Sequence, residues 1–188
     1  AAKGLRNEGV RIVGNQFILM HDGARSDTYA DTHYVLKNDT GYALDGLAFN
    51  NNTIVAQQSH GWGRYLIELG SVRKFQFIGN TSMAANDPSA GPEHLLTGDR
   101  IEEAVISQNT CSYVGGDLMF LPECSKVVIS DNVATGAGAG PGTWLHLGKA
   151  AKQVIVTGNI VRSSYFIRAD SPPKNCVIKN NIADHDCA

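Results

Sequence analysis

The sequence predicts an all-β chain folded as a right-handed parallel β-helix, a solenoid of about seven coils with three short strands in each. Three observations support this fold class. A six-residue pattern ending in asparagine recurs seven times, apolar or small residues return two positions after the asparagine, and a further apolar position stands fourteen residues before it. Long apolar runs with a helical period are absent, so the short alternating runs favour strands.

The first strand of each coil follows the pattern apolar, any, apolar, any, any, Asn, which begins with Val10, Ile12 and Asn15. Two apolar residues at positions i and i+2 point to the same face of a strand, so this strand buries one face. The asparagine is expected to occupy a tight turn, because Asn tolerates a left-handed backbone. Successive asparagines are 37, 28, 29, 23, 27 and 22 residues apart and stand at Asn15, Asn52, Asn80, Asn109, Asn132, Asn159 and Asn181.

The asparagines are expected to form one ladder, because stacked coils place equivalent residues about 4.8 Å apart. In such a ladder each side-chain amide hydrogen-bonds its neighbours and satisfies buried backbone groups of the turn. The Asn ladder therefore predicts both the register and the stacking direction of the coils.

The other two strands of each coil are predicted from fixed offsets to the ladder. The second strand follows the turn, and its inward positions are small or apolar except for Ser82: Phe17, Ile54, Cys111, Ala134, Val161 and Ala183. The third strand precedes the first, and its inward positions are Leu66, Leu95, Leu118, Leu145 and Ile167. In coil two the equivalent strand is expected at roughly residues 32–37.

The chain of 188 residues, 43% of them hydrophobic, is long enough for one domain with a continuous core, so residues 1–188 are predicted to form a single β-helix domain. A leucine-rich repeat is the main alternative, but its shorter, more uniform, Leu-dominated period does not fit. We expect the chain to be a piece of a longer protein, since a solenoid needs polar caps at its ends and none is visible.

Composition argues against several classes of function. The formal net charge is −2, without the basic excess typical of nucleic-acid binding, and there is no apolar run of about 18 residues that would span a membrane. The four cysteines form no Cys-x-x-Cys pair and are interpreted as small apolar residues, with disulfides left open. No metal site or cofactor is predicted. Calcium is a weak alternative at Asp22, Asp27 and Asp31, which lack the EF-hand spacing.

The Asn-ladder coils, from about Val10 to Ile182, resemble the pectate-lyase-like superfamily of right-handed β-helices. That superfamily includes polysaccharide lyases, mannuronan epimerases, some glycoside hydrolases and phage tailspikes. No catalytic signature of one family is matched, and Asp87-Pro88 lacks the following His of the epimerase motif. By analogy of fold alone, the resemblance implies an anionic polysaccharide as ligand or substrate and an extracellular, periplasmic or virion-associated location.

The resemblance also implies that substrate lies along the outer face of the third strand. Neighbours of the inward leucines then point outward, because side chains alternate along a strand. One outward column is expected at Tyr65, His94, Asp117, Trp144 and Phe166, and the other at Ile67, Leu96, Met119, His146 and Arg168. Aromatic rings stack on sugar faces, so Trp144 and Phe166 are candidate substrate-binding residues, and His33 and Arg64 are candidates beside the same face.

The polar members of these columns suggest acid–base chemistry. His94 and Asp117 are expected on adjacent coils, where the Asp117 carboxylate would orient the imidazole as a base. Arg168, beside His146, would neutralise a uronate carboxylate, and Tyr65 would supply a proton. A base, a cation and an acid together suit β-elimination or epimerisation of an anionic polysaccharide.

Two alternatives stay open. Glycoside hydrolysis needs two carboxyl groups about 5–10 Å apart. Strand geometry places Asp117 and Asp170 roughly 16 Å apart, so a hydrolase would need a carboxylate from a loop or from another subunit. The second alternative is a non-catalytic structural or adhesive module. In this reading Ile67, Leu96 and Met119 form an exposed apolar strip through which a tailspike-like homotrimer packs.

Overall fold

The computed structural model describes residues 7–20, 35–57, 65–84, 94–112, 117–135, 143–162 and 165–184. Within these ranges every regular element is a β-strand, and all strand pairs are parallel. The predicted all-β parallel β-helix is therefore confirmed. These ranges contain no helix long and apolar enough to cross a membrane.

The strands before the ladder asparagines build one long sheet. They pair in the order β1 (Asn7–Val13), β3 (Leu36–Asn50), β5 (Tyr65–Ile78), β7 (His94–Ser107), β10 (Glu123–Ser130), β13 (Lys152–Thr157) and β16 (Val177–Lys179). The strands after the asparagines build a seven-stranded sheet: β2 (Gln16–Met20), β4 (Thr53–Gln57), β6 (Thr81–Ala84), β8 (Thr110–Ser112), β11 (Val133–Thr135), β14 (Ile160–Arg162) and β17 (Ile182–Asp184).

The third strand is separate in only part of the solenoid, as β9 (Met119–Leu121), β12 (Thr143–Leu147) and β15 (Tyr165–Ala169). About three turns therefore contain three distinct strands, and the expectation of seven such coils is wrong. In β3, β5 and β7 the third and first strands run together as one strand of 14 or 15 residues. Pro122 stands between β9 and β10, and Pro172 and Pro173 between β15 and β16. Proline cannot donate to a strand ladder, so the strand stops there.

The core is the stack of inward side chains predicted from the repeat. Ile12 pairs in register with Phe49, and Phe49 with Phe77, whose rings stack at a centroid distance of 5.7 Å. Ile54, Ser82 and Cys111 follow one another in the second sheet, so polar Ser82 occupies its predicted inward position. Cys111 and Cys124 are buried and free, and burial raises the pKa of each thiol to about 12.

The Asn ladder is present with the hydrogen bonds expected of it. Oδ1 of Asn80 accepts from the backbone N of Asn52 at 2.9 Å and from its Nδ2 at 3.2 Å. Nδ2 of Asn80 donates to the carbonyl oxygen of Phe49 at 2.9 Å and to Oδ1 of Asn109 at 3.0 Å. Each inner asparagine thus ties its own coil to both neighbours, and the amide is satisfied although it is buried.

The left-handed turn residue is not the ladder asparagine. Positive φ falls on the residue immediately before it: Gly14, Asn51, Gly79, Gln108, Asp131, Gly158 and Asn180. The preceding residue reverses the chain, and the asparagine side chain can then point along the stack. The expectation that the ladder asparagine itself adopts this conformation is wrong.

A second column of left-handed residues was not predicted. These residues stand six positions before the ladder asparagines, where the chain turns from the third strand into the first: Gly9, Gly46, Lys74, Glu103, Lys126, Gln153 and Asn175. Most of them are polar and not glycine, so periodic glycine gives no signal for this corner. The corner borders the face on which the candidate site lies.

Candidate functional site

The register of the third strand differs by one residue from the prediction. The shift lies between β9 and β12, where Leu145 pairs with Met119 and not with Leu118, whereas Leu96 pairs with Met119 as predicted. The backbone N–H groups of Leu95 and Leu96 both donate to the carbonyl oxygen of Leu118, at 3.0 and 3.1 Å. Two residues opposite one are the mark of a β-bulge, which breaks the alternation of side chains.

The burial of the third-strand residues overturns the expected exposed apolar strip. Ile67, Leu96 and Met119 are all buried in the core, as are Leu66, Leu95 and Leu118 beside them. A homotrimer packed through Ile67, Leu96 and Met119 therefore lacks the surface that was expected to form it. The physical reason is that both residues of each apolar pair turn inward.

The aromatic column is also only partly exposed. Trp144 is 2% exposed, and its ring stacks on that of Phe166 at 5.2 Å with an interplanar angle of 3°. The expectation of Trp144 as an exposed sugar platform is therefore wrong, whereas Phe166 is half-buried and still reaches the surface.

Several candidate residues cannot be placed. His33 and Arg64 lie outside the described residues, as do Asp22, Asp27 and Asp31. Tyr65 begins β5 and pairs with His94 in register, but its side chain is outside the described part.

His146 is the centre of the polar group on this face. Its Nδ1 lies 2.8 Å from Oδ2 of Asp117, and its Nε2 lies 2.9 Å from Oδ1 of Asp170. A carboxylate accepts hydrogen bonds, so both contacts are satisfied together only when both ring nitrogens carry hydrogen. Oδ1 of Asp117 also accepts from the backbone N of Thr143 at 3.0 Å. We call Asp117, His146 and Asp170 the Asp–His–Asp group.

Strand pairing explains how three distant residues meet. Asp117 precedes β9, His146 lies on β12, and Asp170 follows β15, so each comes from a different one of three successive coils. The backbone N–H of Asp170 donates to the carbonyl oxygen of Leu147 at 3.0 Å and fixes the start of its loop. The group therefore rests on sheet hydrogen bonds and not on a free loop.

The two aspartates are much closer than the sequence suggested. Both touch one imidazole ring, so their contacting oxygens are no more than about 8 Å apart. The expected separation of Asp117 and Asp170 was an estimate from backbone positions. It is wrong because both side chains lean towards His146 between them.

The group is shielded to different degrees at its two ends. The side chains of His146 and Asp117 are 12% and 16% exposed, and that of Asp170 is 30% exposed. The hydrogen bond from His146 lowers the pKa of the Asp170 carboxyl, with further lowering by the charges of His146, Arg168 and Lys149. Asp170 is therefore ionised at neutral pH and is the member that solvent and a ligand reach most easily.

His94 is oriented by a backbone group and not by the Asp117 carboxylate as expected. Its Nδ1 lies 2.7 Å from the carbonyl oxygen of Asp117. A carbonyl only accepts, so Nδ1 carries a hydrogen, and in the neutral ring Nε2 carries the lone pair. The expected closeness of His94 and Asp117 is present, but the hydrogen-bond partner is different.

Phe120 is a site residue that the sequence did not reveal. Its ring lies 4.6 Å from that of His146 and 6.0 Å from that of His94. Phe120 pairs in register with His146, on the side facing away from the core. The sequence aligned Leu145 with Leu118 and therefore placed Met119 in this outward position beside His146. Arg168 pairs with His146 from the other side, as predicted, and is exposed.

The described residues contain no cluster of three or more His, Cys, Asp or Glu side chains arranged to hold a metal ion. Comparison with known proteins finds no family model, curated protein or solved structure that matches this chain. The structure is consistent with the resemblance to the pectate-lyase-like superfamily in its parallel coils and its Asn ladder, and at the level of fold only.

Proposed function

We propose that this chain binds an acidic polysaccharide along the face formed by β9, β12 and β15 and abstracts a proton beside a uronate carboxylate, as a lyase or an epimerase. The observation that carries the proposal is the Asp–His–Asp group with Arg168 adjacent in register. The proposal includes an extracellular, periplasmic or virion-associated location for the protein, where it would meet a polysaccharide ligand of this class.

Asp170 is assigned as the base. It is the more exposed aspartate and is ionised at neutral pH. A carboxylate of lowered pKa is a weak base, so the substrate proton must be made more acidic. Arg168 supplies this effect, because its guanidinium would pair with the uronate carboxylate and stabilise the negative charge that develops on proton removal.

The remaining members hold the base in place. Asp117 fixes His146 through Nδ1, and His146 fixes Asp170 through Nε2. His94 lies beside Phe120 at the other end of the face, and in its neutral ring Nε2 carries the lone pair. Because His94 lies three coils from Asp170, about 14 Å by strand spacing, it would hydrogen-bond another sugar of the polymer, and the leaving oxygen of an elimination would take its proton from water.

Hydrolysis is less well supported, although the separation of the aspartates now permits it. A glycoside hydrolase of the usual kind needs one protonated carboxyl group as general acid. Hydrogen bonds from His146 favour the ionised form of a carboxylate, and the pKa of Asp170 is lowered. Proton abstraction therefore fits the group better than bond cleavage assisted by a carboxylic acid.

The test is incubation with uronate-containing and neutral polysaccharides. Ultraviolet absorbance detects the unsaturated product of elimination, exchange of ring hydrogen in D₂O detects epimerisation, and reducing ends detect hydrolysis. We expect elimination or exchange that falls by about 100-fold or more in Asp170→Asn and in Arg168→Gln.

Matched controls are Asp184→Asn and Arg162→Gln, a pair 3.9 Å apart on the separate seven-stranded sheet, which should retain wild-type rates. Reducing ends without elimination would contradict the proposed reaction. If the folded protein gives no signal in any of the three assays, the proposal of catalysis is contradicted.

The second candidate function is a structural or adhesive module without catalysis. It is favoured by one observation: the Asp–His–Asp group links three successive coils, and two of its members are largely shielded from solvent. In this case His146→Gln would lower the melting temperature without affecting any reaction. Product formation that requires Asp170 would rule this reading out.

A further inference from the structure

The charges of the chain are segregated along the solenoid. Residues 143–188 contain six Lys or Arg and three Asp or Glu, whereas residues 1–142 contain ten and fifteen. The last coils are therefore basic, although the whole chain is slightly acidic. This excess lies on the same coils that carry His146 and Asp170.

Cations at the corner between the third and first strands are ion-paired in the earlier coils. Arg73 pairs with Asp45, Nε of Arg100 lies 3.2 Å from Oε2 of Glu123, and Lys126 reaches Glu103 at 3.2 Å. In these ion pairs a positive side chain on one coil faces a negative side chain on the next, so their charges cancel locally at the corner.

Among the described residues, the same corner in the last coils has no such partners. Lys149, Lys152 and Lys174 are exposed, and none forms an ion pair with a described residue. Lys152 and Lys174 are bridge partners on adjacent coils, so their backbones stack about 4.8 Å apart. Like charges stacked directly across strands are destabilising, and a bound anion would remove that cost. We call Lys149, Lys152 and Lys174 the lysine corner.

The lysine corner is continuous with the candidate site. Oγ of Ser171 donates to the carbonyl oxygen of Lys149 at 3.2 Å, which ties the Asp170 loop to the preceding coil. The positive charge of Lys149 contributes to the lowered pKa of Asp170. A cavity of about 240 Å³ on the same corner, lined by Arg100, Glu123 and Lys152 among others, extends this surface towards earlier coils.

We propose that the lysine corner is a subsite for the carboxylate or sulfate groups of an acidic polysaccharide, outside the reacting centre. This proposal rests on the proposed function, because it places the polymer beside Asp170. The ligand is a polysaccharide and not a nucleic acid, since the rest of the chain carries an acidic excess that would repel a long, densely charged duplex.

The experiment measures the NaCl concentration that elutes the protein from polygalacturonate and dextran sulfate resins. Removal of two lysine-corner charges in Lys152→Gln/Lys174→Gln should lower that concentration to about half of the wild-type value, because fewer counterions are released on binding. The control, Lys126→Gln/Arg73→Gln, removes the same net charge from cations that are already paired and lie outside that cavity, and should elute near the wild type.

Equal shifts in both double variants would show that only net charge matters and would overturn the proposal. Failure of both resins to retain the wild type, or elution from a duplex DNA resin at the same or a higher NaCl concentration, would overturn it too. The Asp170→Asn variant should bind both acidic resins no less strongly than the wild type does. Normal retention of the wild type without any product in the polysaccharide assays would reject the proposed reaction and leave the subsite standing.

Thermal unfolding gives an independent measure. The Lys152→Gln/Lys174→Gln variant should melt at or above the wild-type temperature in low salt, because it relieves stacked like charges. Polygalacturonate should raise the melting temperature of the wild type more than that of this variant. An equal rise in both proteins would contradict binding at the lysine corner.

Discussion

Individual asparagines carry much of the specificity of this fold. Asn109 is buried, and its amide makes hydrogen bonds to Asn80, Asn132 and the carbonyl oxygen of Phe77. Such a residue fixes the stacking of coils because a slipped register would leave the amide and its partners unpaired in the core.

Replacement of Asn109 by Ala should therefore be strongly destabilising. The backbone N–H of Asn80 and the carbonyl of Phe77 would lose buried partners, and we expect the free energy of unfolding to fall by about 3 kcal/mol. Urea denaturation measures this change. Asn15→Ala, at an exposed end of the ladder, is the control and should cost less than half as much. Equal losses at both positions would contradict the role assigned to the buried ladder.

Two turn glycines that both adopt positive φ offer a second test at the residue scale. A Cβ on Gly79 would lie 2.4 Å from Oδ1 of Asn51, whereas a Cβ on Gly14 would meet nothing within 4 Å. Each alanine substitution has the left-handed strain of about 1–2 kcal/mol, and Gly79→Ala adds a steric clash. Gly79→Ala should therefore melt at a lower temperature than Gly14→Ala. The reverse order would contradict the turn geometry.

The elements that hold the site are the short strands β9, β12 and β15, which the Asp–His–Asp group links side to side. The hydrogen bond from His146 lowers the pKa of Asp170 below the ordinary 3.8, so this aspartate stabilises the fold only while it is ionised. Its contribution is complete above the unfolded pKa and is lost as the pH falls through the lower folded pKa.

The pH dependence follows from that sign. The difference in melting temperature between the wild type and Asp170→Asn should be present at about pH 5 and should shrink steadily towards about pH 2. Asp184→Asn is again the control. A difference that grew as the solution became more acidic would contradict a lowered pKa at Asp170.

Most of the architecture was predictable because a solenoid repeats one physical solution. The apolar pairs before each asparagine and the residues two positions after it fixed both sheets, and even polar Ser82 lies in its predicted place. The bulge at Leu95 and Leu96 was not predictable, since two adjacent leucines satisfy either register. The one-residue shift between β9 and β12 concealed Phe120, and the burial of both residues of each apolar pair turned the expected strip into core.

The sequence predicted which residues form the candidate site better than it predicted the contacts between their side chains. The adjacency of His146 and Arg168 followed from coil spacing and is confirmed. The pairing of Asp117 with His146 and the approach of Asp170 depend on how side chains lean across three coils. Backbone spacing alone cannot give that information, and the separation of Asp117 and Asp170 expected from it was about twice the distance between their contacting oxygens.

The most direct test at the scale of the whole molecule is to map where an acidic oligosaccharide binds. Backbone amide NMR shifts of isotope-labelled protein would be followed during titration with hexagalacturonate. Perturbations should concentrate on β12 and β15 and on the segments 148–152 and 170–174 that join the Asp–His–Asp group to the lysine corner. Perturbations confined to the seven-stranded sheet, at β11, β14 and β17, or none at saturating ligand, would contradict a polysaccharide site on this face.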